Sequence, residues 1–210
     1  MYTSQIQLAQ SIIATLEGAG DFSRVDLIGS LSDGSCDKMS DIDLVLMSPE
    51  RPPWDNVQLA SRILKDVYGS LLHDWAGSLI PEKYLISQFM PGCDIMWWVD
   101  IGCHPDERYN DISRDDIDQD GNSHISKLLI MNAKHYIRGA EGRLRIGELY
   151  TKSTGCPPGG KGVPELFAAV RAEIDEKRLS VEFVQKMDET LQLVANKALE
   201  RTRLRRATQL

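Results

Sequence analysis

Two aspartates one residue apart open an apolar run within IGSLSDGSCDKMSDIDLVLM, residues 28–47. In an extended strand, residues i and i+2 project from the same face, so Asp41 and Asp43 would place their carboxylates side by side. Two carboxylates at that distance repel each other unless a cation lies between them. Mg²⁺ favours such a place, because it binds one or two carboxylates and completes its shell with water and substrate phosphates. The pair therefore predicts a magnesium site.

A Gly-Ser pair, Gly29 and Ser30, precedes the aspartates. Glycine lets a phosphate approach the backbone closely, and the turn supplies N–H groups and a hydroxyl. Together with the carboxylates it predicts a site for a metal-bound triphosphate. The alternative is an exposed strand with polar residues outward. The run LVLM at 44–47 argues against it, because unpaired aspartates in a buried strand would be costly.

The pattern of apolar residues indicates the elements that position these groups. Helical spacing predicts helices over residues 5–18, 55–74, 125–137, 164–177 and 181–204. Alternation and β-branched residues predict strands over residues 25–28, 42–47, 84–89 and 94–101. The expected fold is α+β, with a catalytic domain at 1–112 and a helical C-terminal domain at 113–210.

Composition narrows the class of protein. The chain of 210 residues carries a net charge of -7, with a pI of about 5.1. An acidic surface argues against a nucleic-acid partner, which needs clustered lysine and arginine, and suits a cationic small molecule. The apolar runs are too short for a membrane span, and the N-terminus lacks the features of a signal peptide. Four scattered cysteines fit reduced thiols, so we expect a cytoplasmic protein.

The segment GSLSDGSCDKMSDIDLVL resembles the signature of the polymerase-β-like nucleotidyltransferase superfamily: Gly-Ser, a polar loop, then Asp-hydrophobic-Asp. Within that superfamily it is most similar to the small aminoglycoside and lincosamide nucleotidyltransferases, and to the minimal enzymes of toxin–antitoxin pairs. Ser40 and the small loop residues fit this subset. Many members carry a basic residue in the loop where this chain has Asp33. The resemblance covers residues 22–101 and implies a nucleotidyltransferase core, a short mixed sheet with flanking helices, followed by a helical domain.

The resemblance also implies two Mg²⁺ ions, held by Asp41, Asp43 and a third carboxylate from a later strand. Asp94 and Asp100 are both candidates, since they open and close the segment DIMWWVDI. Asp94 is preferred, because in the family an aspartate leads into the strand. It would bind the second ion and activate the incoming hydroxyl.

Further residues are expected to bind the nucleotide. The resemblance assigns the β- and γ-phosphates to Gly29 and Ser30, with Ser40 beside them. It also implies a lysine from the helical domain that reaches the triphosphate. Lys134 is preferred and Lys127 is the alternative, with Arg138 nearby on the same helix face. A solvated basic stripe explains that spacing equally well.

The expected reaction is transfer of a nucleoside monophosphate, AMP from ATP or another NTP, to a hydroxyl, with release of pyrophosphate. The acceptor implied is a cationic small molecule such as an aminoglycoside, which would make the protein an antibiotic-resistance enzyme. One alternative is an antitoxin-type transferase that attaches AMP to a protein. Others are an enzyme that makes or edits a nucleotide-linked metabolite, and a degenerate core kept as a nucleotide-binding regulatory module. Some relatives build one active site from two chains, so an oligomer is compatible with the sequence.

Overall fold

The computed structural model describes residues 4–48, 50–75, 84–104, 108 and 120–207. The chain divides into two compact units, Met1–Asp120 and Gly121–Leu210. The first combines helices with a mixed sheet and the second is helical, so the expected α+β class is confirmed. The domain boundary expected after residue 112 lies outside the described residues.

The first unit contains a five-stranded sheet in the order β1-β2-β5-β4-β3. Strands β2 and β5 run parallel, and the other three neighbouring pairs are antiparallel. The strands are β1 Arg24–Ile28, β2 Ile42–Met47, β3 Leu72–Trp75, β4 Tyr84–Phe89 and β5 Val99–Cys103. The helices are α1 Gln5–Gly18, α2 Gly29–Asp33 and α3 Pro53–Tyr68.

Helices α1 and α3 share a core with one face of this sheet. Side chains four residues apart on α1 pack there with alternate residues of the two central strands, because those spacings each define one face. This core includes Leu8, Ile12, Leu16, Val57, Leu64, Ile42, Leu44, Val99 and Ile101. Asp43 lies between the buried Ile42 and Leu44, so it projects from the opposite face of the sheet.

Two element predictions in this unit were wrong. The helix predicted over 55–74 ends at Tyr68, where Gly69 adopts φ +79° and turns the chain into β3. The strand predicted over 94–101 begins only at Val99. Before β5, the Asp94 carboxylate accepts a hydrogen bond from the amide of Met96 at 2.8 Å, and the Asp94 carbonyl accepts one from the amide of Trp97 at 3.0 Å. These two bonds make a turn at Asp94.

The second unit is helical. It comprises α4 Gly121–Arg138, α5 Ile146–Thr154, α6 Val163–Ala172 and α7 Val181–Ala207, with 3₁₀ turns at Glu141–Arg143 and Glu176–Arg178. Helix α5 was not predicted, and α6 ends before the predicted residue 177. Tyr136 of α4 and Phe167 of α6 meet with ring centroids 6.1 Å apart. Among the described helices of the chain, none has the length and apolarity to cross a membrane.

Candidate active site

Three carboxylates from two neighbouring strands meet on the face of the sheet opposite α1 and α3. Asp43 of β2 is the register partner of Asp100 of β5, and paired residues on adjacent strands project from the same face. Asp41, two residues before Asp43, shares that face. One oxygen of each of Asp41, Asp43 and Asp100 lies within 4.8 Å of the others, and all three residues are half-buried. The parallel pairing of β2 with β5 therefore creates the cluster.

Gly29 lies directly against this cluster. It follows β1, whose last residue, Ile28, pairs with Asp43. A Cβ atom on Gly29 would lie 2.4 Å from Oδ2 of Asp43 and 3.2 Å from its Cγ, closer than non-bonded atoms approach. The backbone at Gly29 also has φ +68°, which side-chain-bearing residues rarely adopt. Contact and conformation both require glycine here.

Asp100 has a hydroxyl partner on the next strand. The Ser87 hydroxyl donates to Oδ1 of Asp100 at 2.5 Å, and the two residues are register partners in the β4–β5 pair. Ser87 is only 2% exposed. Ser87 was not among the predicted site residues. Its signal was a single hydroxyl between apolar neighbours on one strand face, Leu85 and Phe89.

The loop that leads into Asp41 is held by hydrogen bonds of its own. The Ser40 hydroxyl accepts the amide of Asp37 at 3.0 Å, and Ser40 is buried. The indole of Trp97 donates to the carbonyl of Lys38 at 2.8 Å, and the Gln5 side chain donates to the carbonyl of Asp37 at 2.8 Å. These contacts give Ser40 a part in shaping the loop, while its expected contact with the nucleotide stays a prediction.

The structure brings Asp100 beside Asp41 and Asp43, whereas the preferred Asp94 lies outside this cluster. Which of the two aspartates binds a metal stays a prediction. Asp94 is exposed in the turn before β5, where its side chain accepts the Met96 amide. The family pattern pointed to an aspartate at the start of the strand. Because β5 begins at Val99, Asp100 is the aspartate that meets this condition.

The Gly-Ser pair forms the start of α2, a helix of five residues. Ser30 is half-buried and directly follows the glycine that contacts Asp43. At the other end of α2, the Ser35 amide donates to the Asp33 carboxylate at 2.8 Å. Hydrogen bonds from the side chain and the amide of Ser35 lower the pKa of Asp33, because they stabilise the charged form.

The basic stripe expected in the helical domain is not solvated along its length. Lys127 and Lys134 of α4 are 0% and 3% exposed. Met131 and Arg138, which share the stripe, are half-buried. Burial of two lysines on one helix overturns the interpretation as a solvated surface, because charged ammonium groups are buried only where something compensates their charge.

The carboxylate cluster fits a hard divalent cation. Its donors are carboxylate oxygens only, the ligands that Mg²⁺ and Mn²⁺ prefer. Three carboxylates this close repel one another, and a cation bound among them would relieve that repulsion. Because residue 29 is glycine, it places no side chain beside the Asp43 carboxylate. Asp41, Asp43 and Asp100 could hold such an ion.

No family model matches the chain, and no curated protein matches it. Among solved structures, it is similar to the polymerase core of TRAMP, an RNA surveillance complex, with 16% identity and a TM-score of 0.40, over 90% of this chain and 58% of that one. It is also similar to the GLD-2/RNP-8 complex, with 10% identity and a TM-score of 0.39, over 80% of this chain and 48% of that one.

A third similar structure is the non-canonical poly(A) polymerase complex GLD-2–GLD-3, with 12% identity and a TM-score of 0.38, over 86% of this chain and 54% of that one. The chain thus spans about half the length of these structures. With TM-scores this low, the function proposed for the chain rests on the geometry of Asp41, Asp43, Asp100 and Gly29.

Proposed function

We propose that this protein is a metal-dependent nucleotidyltransferase that moves a nucleoside monophosphate from an NTP, with ATP as the first choice, to a hydroxyl. The observation that carries the proposal is the group of three carboxylates from β2 and β5 with Gly29 packed against one of them. Such a group suits a triphosphate with its cation, because phosphate oxygens and water complete a shell that the protein leaves open.

Each residue has a defined part in the proposal. Asp41 and Asp43 would hold the Mg²⁺ ions, and Asp100 would hold one of them. When bound, two such ions would neutralise the triphosphate and lower the pKa of the attacking hydroxyl. Gly29 and Ser30 offer backbone N–H groups and a hydroxyl to the β- and γ-phosphates.

The chemical step balances without any further reactant. The acceptor oxygen forms a bond to the α-phosphorus of the NTP, and the bond from that phosphorus to the bridging oxygen of the β-phosphate breaks. Pyrophosphate leaves with that electron pair. Asp100, the carboxylate of the cluster that comes from the second strand, is proposed to accept the proton of the hydroxyl. In-line placement of the attacking acceptor oxygen and the leaving bridging oxygen would supply most of the rate enhancement.

The acceptor is proposed to be a cationic small molecule such as an aminoglycoside. The support is the net charge of -7, which attracts a polycation, together with the resemblance of the Gly-Ser to Asp-x-Asp segment to small antibiotic transferases. Lys134 is proposed to contact the triphosphate, as the resemblance to nucleotidyltransferases implies. If the protein modifies an aminoglycoside in the cell, resistance to that antibiotic would follow.

The decisive experiment measures pyrophosphate release with Mg-ATP and a panel of aminoglycosides and lincosamides. Asp43→Asn and treatment with EDTA run beside the wild type, and Asp94→Asn serves as a matched control outside the cluster. Release that needs an acceptor, and that is lost in Asp43→Asn and in EDTA, supports the proposal.

The other outcomes point to other functions. ATP raises the melting temperature only if it binds the folded protein, and it should do so here only with Mg²⁺. If Mg-ATP stabilises the protein but no member of the panel triggers pyrophosphate release, a protein or metabolite acceptor is favoured, to be tested with labelled ATP and cell extract. Stabilisation without release from any acceptor would favour a regulatory nucleotide-binding module. Absence of both release and stabilisation would overturn the nucleotide site itself.

A further inference from the structure

We propose that Ser87 is a positioning residue, which holds the Asp100 carboxylate in the orientation that the metal-binding group requires. The inference rests on the proposed function, because it concerns the same carboxylate cluster. It adds a residue that touches neither metal nor substrate and acts through Asp100 alone.

The register of the sheet places a row of polar residues across the face opposite α1 and α3. Asp43 pairs with Asp100, Asp100 pairs with Ser87, and Ser87 pairs with Asp74 on β3. Register partners on neighbouring strands project from one face, about 5 Å apart, so Ser87 is the next side chain after Asp100 in the row. Its hydroxyl donates to Oδ1 of Asp100 at 2.5 Å.

Asp100 needs such a partner more than the other two carboxylates do. Asp41 and Asp43 belong to one stretch of chain, and Gly29 closes against Asp43. Asp100 comes from the neighbouring strand, and repulsion from two nearby carboxylates favours rotation of its side chain away from them. The hydrogen bond from Ser87 to one oxygen of Asp100 resists that rotation and keeps the carboxylate turned toward the cluster.

The surroundings of Ser87 make its hydroxyl a fixed donor. The side chain is 2% exposed, so water does not compete for the hydroxyl, and a buried hydroxyl without a partner would be costly. Residues that orient metal ligands in this way typically change metal affinity or activity by about 10- to 100-fold when mutated.

The test measures Mn²⁺ binding to the nucleotide-free protein, from the electron paramagnetic resonance signal of free Mn²⁺. We expect Ser87→Ala to raise the Kd about tenfold and Ser87→Thr, which keeps the hydroxyl, to stay within about threefold of wild type. The matched control is Ser61→Ala. Ser61 also donates its hydroxyl to a β4 side chain, the Gln88 amide oxygen at 3.0 Å, but from α3 on the other face of the sheet.

The outcomes separate this inference from the function on which it rests. Unchanged Mn²⁺ affinity in a folded Ser87→Ala protein overturns the positioning role and leaves the metal site intact. Equal weakening in Ser87→Ala and Ser61→Ala also overturns it, because a general loss of packing would then explain both. If the wild-type protein shows no Mn²⁺ binding that Asp43→Asn removes, the metal site is overturned, and the role of Ser87 is overturned with it.

The kinetic readout adds a second criterion. If Ser87 acts only on the orientation of Asp100, Ser87→Ala should lose turnover at low Mg²⁺ and regain most of it at high Mg²⁺, while the KM of the acceptor stays unchanged. A loss of turnover that Mg²⁺ does not restore, or a raised acceptor KM, contradicts action through the metal ligand.

Discussion

Gly29 and Asp43 are in such close contact that a single added carbon atom on the glycine would overlap the carboxylate, at 2.4 Å from Oδ2. The glycine of the Gly-Ser pair and the second aspartate of the Asp-x-Asp pair are thus in direct contact. The pairing of Ile28 with Asp43 across β1 and β2 brings them together.

Gly29→Ala should therefore lose metal binding as well as stability. Its backbone at φ +68° costs an alanine roughly 1–2 kcal/mol, and the new Cβ must displace the Asp43 carboxylate. The matched control is Gly34→Ala, at φ +78° with no atom within 4 Å of the added Cβ. Both variants should be destabilised in urea, and only Gly29→Ala should lose Mn²⁺ binding and pyrophosphate release. Equal effects of the two variants would contradict a specific role for the contact.

Substitution of Asp100 should separate the two candidates for the third carboxylate. Asp100→Asn removes a charge from the cluster and a proton acceptor from the reaction, so turnover should fall by at least about 100-fold. Asp94→Asn should retain nearly full turnover, because an asparagine oxygen can still accept the Met96 amide. Pyrophosphate release by both variants is the measurement. The reverse order of effects would restore Asp94 as the third carboxylate.

Ser40→Ala should act on the loop before Asp41. Loss of a part-buried hydrogen bond to the Asp37 amide should cost about 1 kcal/mol of unfolding free energy, with faster hydrogen exchange over residues 34–41. If Ser40 also contacts the nucleotide, the KM for ATP rises in the same variant. A changed KM with unchanged stability and exchange would favour the nucleotide contact alone.

Lys134→Met tests the lysine predicted to reach the triphosphate. Methionine keeps the buried aliphatic volume and removes the charge, so the KM for ATP should rise by about tenfold while the fold is retained. Lys152→Met, at an exposed position of α5, is the control for loss of a positive charge. Lys127→Met tests whether Lys127, the alternative candidate, contacts the triphosphate instead. An effect confined to Lys127→Met would transfer the assignment to that residue.

The lowered pKa of Asp33 predicts a small pH dependence of stability. A carboxylate whose pKa is lower in the folded state stabilises the fold above its ordinary pKa, and the contribution is lost as the pH falls through the folded-state pKa. Asp33→Asn and Ser35→Ala should therefore differ most from wild type near neutral pH and converge with it in acid. Urea midpoints at pH 6 and near pH 3 provide the measurement. Differences that grow as the pH falls would contradict the Ser35 hydrogen bonds as the cause.

Local spacing in the sequence was enough to predict several parts of this molecule. Period-two alternation set Asp41 and Asp43 on one face of a strand, and this placement depends only on the extended backbone. Helical periodicity predicted α1 and most of α4 and α7, since each presents its own apolar face. The class of fold follows from the order of these elements, and that expectation was confirmed.

Tertiary structure decided which distant residues meet. The parallel pairing of β2 with β5 selected Asp100 over Asp94, and the antiparallel pairing of β4 with β5 brought Ser87 to it. Register between strands that are far apart in sequence depends on which faces are buried and on turns such as that at Asp94. Spacing within one strand therefore does not predict which residues of another strand it will pair with. Gly29 shows the same division. The sequence alone indicated a glycine beside a turn, whereas its contact with Asp43 exists only because the sheet holds β1 against β2.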